Sequence, residues 1–181
     1  MPNLATRLFM ALSLAALAAL AAGCASGLPP DVAKLGYVHR QLRFAMNVPA
    51  GWTIRDTSGT AAVFLVGPTG ADGMQPNVNV VVESGGAAVT LEELARTCQR
   101  EAEALKGFKL LGNESCTLAG NRKAWVLTFE HSALGQTLRE RQLLVLAGNR
   151  SYIVTATASP EAFAANEADF ETVLKSFRAG W

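Results

Sequence analysis

The sequence has 181 residues, half of them hydrophobic and 17% charged, with sixteen basic residues against fifteen acidic ones. Arg7 is the one charged residue before Cys24, so the chain from Cys24 onward carries fifteen charges of each sign. That balance excludes a polybasic nucleic-acid binder and an acidic tail protein, and the hydrophobic content excludes an intrinsically disordered chain. The 158 residues from Cys24 suit one domain with its own core.

Residues 1–23 read as an address. After Arg7 comes an apolar run, Leu8 to Ala22, broken only by Ser13. At about 15 residues it is shorter than the roughly 20 that a spanning helix needs, which is the layout of a secretory signal peptide. Its end, Leu20-Ala21-Ala22-Gly23-Cys24, resembles a bacterial lipobox, in which the peptidase cuts before the cysteine and the thiol carries diacylglycerol. The family pattern has leucine where Ala21 stands. The resemblance implies lipidation of Cys24 (palmitate among the acyl chains) and, since Ala25 and not Asp follows it, sorting to the outer membrane facing the periplasm rather than retention in the inner membrane. Residues 24–36, small and proline-containing, read as a tether, which leaves 37–181 as the folded domain.

Gln41 to Val48 alternates, with Leu42, Phe44, Met46 and Val48 on one face, and predicts a half-buried strand stopped by Pro49-Ala50-Gly51. Ala61–Val66 is a short apolar run and a second strand. Gly67, Pro68, Thr69, Gly70, Asp72, Gly73, Met74 and Gln75 belong to a long glycine-rich loop. Asn77–Glu83 follows as a third strand, with Val78, Val80 and Val82 facing one way. Thr90 and Glu93 then form a capping box, and Leu91, Leu94, Ala95, Cys98, Ala102 and Leu105 give the helix one apolar face up to Gly107. Four strands are expected near 108–118, 123–131, 137–147 and 151–158, with short hairpin connections. Ser159-Pro160-Glu161 opens a last helix whose stripe is Phe163, Phe170, Val173, Leu174 and Phe177. Three strands, a helix, four strands and a helix predict an α+β fold. Its centre is a mostly antiparallel sheet of about seven strands, with two main helices packed on it.

Val48-Pro49-Ala50-Gly51-Trp52, Val78-Asn79-Val80-Val81-Val82, Leu91-Glu92-Glu93-Leu94, Leu118-Ala119-Gly120, Tyr152-Ile153-Val154-Thr155 and the closing Phe170 to Phe177 occur in an order and spacing that resemble the PsbP-like and DcrB-like envelope proteins. The resemblance spans residues 37–178. It implies an α/β/α sandwich and, because members serve diverse roles as binding or adaptor modules, it speaks to fold more than to function.

Export would place Cys98 and Cys116 in an oxidising compartment. A helix followed by a strand running back beneath it makes them the candidate disulfide; the alternative is two separately buried thiols. His39 and His131 lie in no metal-binding or catalytic spacing and read as surface or edge histidines. Glu130 and His131 should point to opposite faces of their strand. No nucleophile elbow, phosphate-binding loop or dinucleotide fingerprint occurs. Arg139-Glu140-Arg141, with Arg122 and Lys123, reads as edge-strand protection rather than a binding patch. Trp52 and Trp125 are expected in the core and Trp181 at an exposed end.

These residues favour a lipid-anchored envelope protein without catalysis. It would need no metal or cofactor, bind no nucleic acid, and touch another envelope protein through the 67–75 loop. The alternative is a carrier of a small apolar or lipid ligand, which calls for an apolar cavity of several hundred Å³ between sheet and helix.

Overall fold

A computed structural model describes residues 27–57, 59–70, 73–84, 89–133 and 135–181. The signal-peptide reading and the Cys24 lipidation site lie outside the described residues. In chain order the elements are β1 (Tyr37–His39), β2 (Phe44–Met46), β3 (Thr53–Asp56), β4 (Ala61–Val66), β5 (Asn77–Ser84), α1 (Leu91–Glu103), β6 (Lys109–Leu118), β7 (Arg122–Ala133), β8 (Gln136–Ala147), β9 (Arg150–Ala158), α2 (Pro160–Ala165), α3 (Glu167–Ser176) and β10 (Arg178–Ala179). Seven strands form one sheet in the order β3-β4-β5-β9-β8-β7-β6, and a small second sheet runs β1-β2-β10. Every pairing is antiparallel.

Alternation along the strands sends side chains to two cores, one on each face of the large sheet. The larger core joins Val63, Val80, Leu143, Tyr152 and Val154 to the stripe of α2 and α3, namely Phe163, Phe170, Val173, Leu174 and Phe177. Aromatic rings knit it together. Phe163 and Phe170 lie 4.6 Å apart, Trp52 meets Phe170 edge-on at 5.7 Å, and Phe177 stacks on Phe44 at 5.9 Å. Burying each such ring contributes about 1.5–3 kcal/mol. The second core sets Leu94, Ala95, Cys98 and Ala102 of α1 against Leu127, Phe129 and Leu144. The predicted capping box is present: the Glu93 N–H donates to Thr90 Oγ1 at 3.2 Å and the Thr90 N–H donates to Glu93 Oε2 at 2.8 Å. Helices on both faces of an antiparallel sheet make the expected α/β/α sandwich.

Several local expectations are corrected. The Gln41–Val48 strand is only three residues long, because Arg43 takes a positive φ of 54° and turns the chain between β1 and β2. Thr53–Asp56 is an additional edge strand. α1 stops at Glu103, so Leu105 lies beyond it and is exposed. The last helix breaks at Asn166, which caps α2 and opens α3. The expected tether is largely docked. Residues 29–35 coil into turns, Val32 is 2% exposed, and Asp31 pairs with Arg178 at 3.4 Å. Trp181 is half-buried beside this segment.

Candidate functional site

The glycine-rich loop between β4 and β5 stands on a closed base. The Gly67 N–H donates to the Pro76 carbonyl at 2.8 Å, and higher up the Gly70 N–H donates to the Met74 carbonyl at 2.8 Å. Gly67 is obligatory here, because a Cβ would lie 2.8 Å from the Pro76 ring and 3.0 Å from the Trp52 indole. Trp52 is itself fixed, donating from Nε1 to Asp169 Oδ2 of α3 at 3.0 Å. The loop is therefore tied at its base to the core. Pro68, Thr69, Gly73 and Gln75 are exposed on it, and Gly70 and Met74 are half-buried. Asp72 lies outside the described residues.

Beside the loop is an open groove of about 350 Å³, lined by Arg55, Thr57, Phe64, Val66, Gln75 and Asn77. It continues onto a sheet face that α1 leaves uncovered, because α1 lies over β7 and β8. The strand registers set two rows of side chains across this face. One runs Arg55, Phe64, Asn79, Thr155, Gln142, and the other runs Thr53, Val66, Asn77, Thr157, Glu140. Opposed residues of antiparallel strands point the same way, so the face is polar at its middle. Its far end is His131, 7% exposed, whose Nε2 lies 3.0 Å from Glu140 Oε1. His131 Nδ1 and Gln142 Oε1 are buried without a partner among the described residues. Sequence reading missed this face. Its signal was the alternation of Asn77 and Asn79 with buried valines, and of Thr155 and Thr157 with buried Val154 and Ala156.

His131 is thus a buried residue of an interior strand and not the surface or edge histidine expected. His39 is half-buried, its Nδ1 accepting from the Leu42 N–H at 3.2 Å and its ring stacked on Phe44 at 5.0 Å. Glu130, on the opposite face from His131 as alternation requires, accepts from Arg139 Nη2 at 2.7 Å. That hydrogen bond holds its carboxyl below the usual range. The Arg139–Arg141 run does not protect an edge, because β8 sits between β9 and β7. Its charges are matched instead: Arg141 Nη1 reaches Glu167 at 2.6 Å and Glu171 at 2.9 Å.

Cys98 and Cys116 are both free thiols. The candidate disulfide is excluded by the sheet itself. Cys98 packs in the α1 core, whereas Cys116 points to the opposite face and packs with the α2–α3 core. Burial pushes the Cys98 thiol up to about 11, helped by the charges of Glu101 and Glu83. Burial also raises Cys116, with Glu114 and Glu171 adding to it. Neither is a thiolate nucleophile at neutral pH. Among the described residues, no group of three or more His, Cys, Asp and Glu side chains is placed to hold a metal ion, and no helix is long and apolar enough to cross a membrane. Trp125 is half-buried against the α1 core and donates to Asn113 Oδ1.

Solved structures that share the fold include the following three. LpqN of Mycobacterium tuberculosis, described as involved in cell envelope biogenesis, is similar at 16% identity with a TM-score of 0.61, over 76% of this chain and 83% of that one. The cyanobacterial PsbP protein CyanoP of Synechocystis is similar at 15% identity and a TM-score of 0.59, over 79% and 90% of the two chains. PA94 of Pseudomonas aeruginosa, described as a putative regulator, is similar at 16% identity and a TM-score of 0.54, over 67% and 92%. No curated protein matches the sequence. The family model DcrB matches residues 44–176, from β2 to the end of α3 and across both cores, and the chain belongs to the DcrB family.

Proposed function

We propose that this chain is a lipid-anchored adaptor of the cell envelope, held by acylated Cys24 at the outer membrane, facing the periplasm and binding another envelope protein without catalysis. The observation that carries the binding reading is the hydrogen-bonded base of the loop, Gly67–Gly70 with Gly73–Pro76, beside an open groove. The loop base is hydrogen-bonded and backed by Trp52, so a partner meets a preformed surface and the ordering cost of binding is small. The groove mixes Phe64 and Val66 with Arg55, Gln75 and Asn77. That lining suits a polypeptide segment, which brings both apolar side chains and main-chain hydrogen-bonding groups. An acyl chain would leave Arg55 and Asn77 desolvated, which disfavours the carrier reading. Envelope residence is supported by the lipobox-like sequence ending at Cys24 and by LpqN, a structural relative with an envelope role.

Replacing residues 68–75 with a tight turn is the test of the surface. Pull-down of the envelope partner is lost while Tm stays within a few degrees, since the described residues among those deleted, 68–70 and 73–75, lie outside both cores. Retained pull-down contradicts the reading. The anchor is tested separately by palmitate labelling: the parent chain incorporates label and Cys24→Ala does not. Label on that variant contradicts Cys24 as the site.

A further inference from the structure

We infer that the pole of the domain bearing Arg40, Arg43, Lys123 and Trp181 rests on the anionic headgroups of the bilayer that holds Cys24. The inference deepens the proposed function and rests on its anchor. The chain is committed to the fold by Pro29, since Val32 is 2% exposed and Asp31 is ion-paired with Arg178. Five residue steps separate Cys24 from Pro29, and at no more than about 3.5 Å each they reach roughly 17 Å. Pro29 and Val32 line one recess with Ala119, Gly120 and Trp181, so the end of the sheet carrying the β6–β7 turn stays close to an anchored Cys24. A long tether would let the domain tumble; this one leaves little room for that.

The β1–β2 turn belongs to the same end. The Gly180 N–H donates to the Arg43 carbonyl at 2.8 Å, and Arg150 Nη1 donates to the Gln41 carbonyl at 3.4 Å. Arg40, Arg43 and Lys123 are exposed there, and none forms an ion pair among the described residues. Lys34 of the docked N-terminal segment is likewise exposed without an ion pair among the described residues, whereas other cations of this end are occupied. Arg122 donates to the Leu146 and Ala179 carbonyls, and Arg178 is held by Asp31. The nearby acids include Asp31, Glu83 at the end of β5, and Glu92 and Glu93 in the first turn of α1, the last of them engaged in the Thr90 capping box. Exposed cations within a Debye length of a negatively charged leaflet are attracted to it, and a half-buried tryptophan beside them sits naturally at headgroup depth. The acyl chains supply retention and the pole supplies orientation, which points the opposite end of the sheet, with the 67–76 loop, away from the membrane.

The test uses the full chain, acylated in cells and reconstituted into vesicles whose lipids carry bromine near the headgroup. Tryptophan emission is compared on phosphatidylglycerol-containing and pure phosphatidylcholine vesicles. The expected result is roughly twofold or greater extra quenching on the anionic vesicles, with the excess lost at about 0.5 M salt, where screening shortens its range to a few Å. Trp181→Phe removes that excess, while Trp52 and Trp125 still report the fold. Arg40→Glu/Lys123→Glu lowers the quenching to the neutral-vesicle level; should that variant fold poorly, the salt series on the parent chain decides alone. Mass spectrometry of the reconstituted chain separates two failures. No acyl group on Cys24 overturns the anchor and this inference together. An acylated chain whose Trp181 is quenched no more on anionic than on neutral vesicles overturns this inference and leaves the anchor standing.

Discussion

The Cys98 thiol, at about 11, stays protonated at neutral pH, and the sheet separates it from Cys116. Two outcomes follow: under non-reducing conditions the purified domain shows no mass loss from a Cys98–Cys116 bond, and adding dithiothreitol leaves its Tm unchanged. A reductant-sensitive Tm contradicts the placement of the two thiols. Glu93 is held below its ordinary 4.5 by the hydrogen bonds from the Thr90 N–H and hydroxyl, and Glu130 by the Arg139 guanidinium. A carboxylate with a depressed folded pKa contributes stability that is present above its ordinary value and lost as pH falls through the depressed one. Parent and Glu130→Gln therefore differ most in Tm above pH 4.5 and converge as pH falls through the depressed value; a gap that widens on acidification contradicts the Glu130–Arg139 pair. At this scale, the capping box was legible because both partners are local, three residues apart. The cysteine pairing was not, because strand parity tells which residues share a face but not on which face the helix lies. Cys116 and Leu118 do share a face, as alternation requires, and it is the face opposite α1.

At the scale of elements, Thr90→Ala removes the side-chain half of the α1 cap and is expected to cost about 1 kcal/mol in denaturant unfolding. Phe170→Ala empties the meeting point of Phe163, Trp52 and α3, and is expected to cost about 3–5 kcal/mol, enough to unfold much of the population of a marginal domain. An unchanged unfolding midpoint in either variant refutes the packing assigned to that element. The long strands from Asn77 onward were readable because their period-two pattern persists for eight residues or more, as in Val78-Val80-Val82. Short elements were not readable. Thr53–Asp56 offers four residues with one apolar side chain, Ile54, and its strand state comes from pairing with β4. Arg43 looked like an outward strand position until its positive φ made it a turn residue. The charges of β8 suggested an edge because sequence order does not reveal that β9 returns on its other side. The polar sheet face escaped notice for a related reason. Asn77, Thr157 and Glu140 come from three strands and align only through register.

At the scale of the molecule, membership of the DcrB family and the fold shared with LpqN and CyanoP describe a scaffold with two separate ends. One end gathers the N-terminal segment, Trp181 and the exposed cations of the β1–β2 and β6–β7 turns. The other raises the 67–76 loop beside the groove of Arg55 and Phe64. Under the proposed anchoring at Cys24, a short connection at one end and the hydrogen-bonded base of the loop at the other would present one face of the domain to its neighbours. The most direct measurement is site-specific photo-crosslinking in intact cells, with the reactive group placed at Thr69 on the loop or at Glu114 on β6, both exposed. The expected result is a discrete adduct with one envelope protein from Thr69, absent from Glu114 and lost when Cys24→Ala removes the anchor. No adduct from Thr69, or the same adducts from both positions, would contradict it.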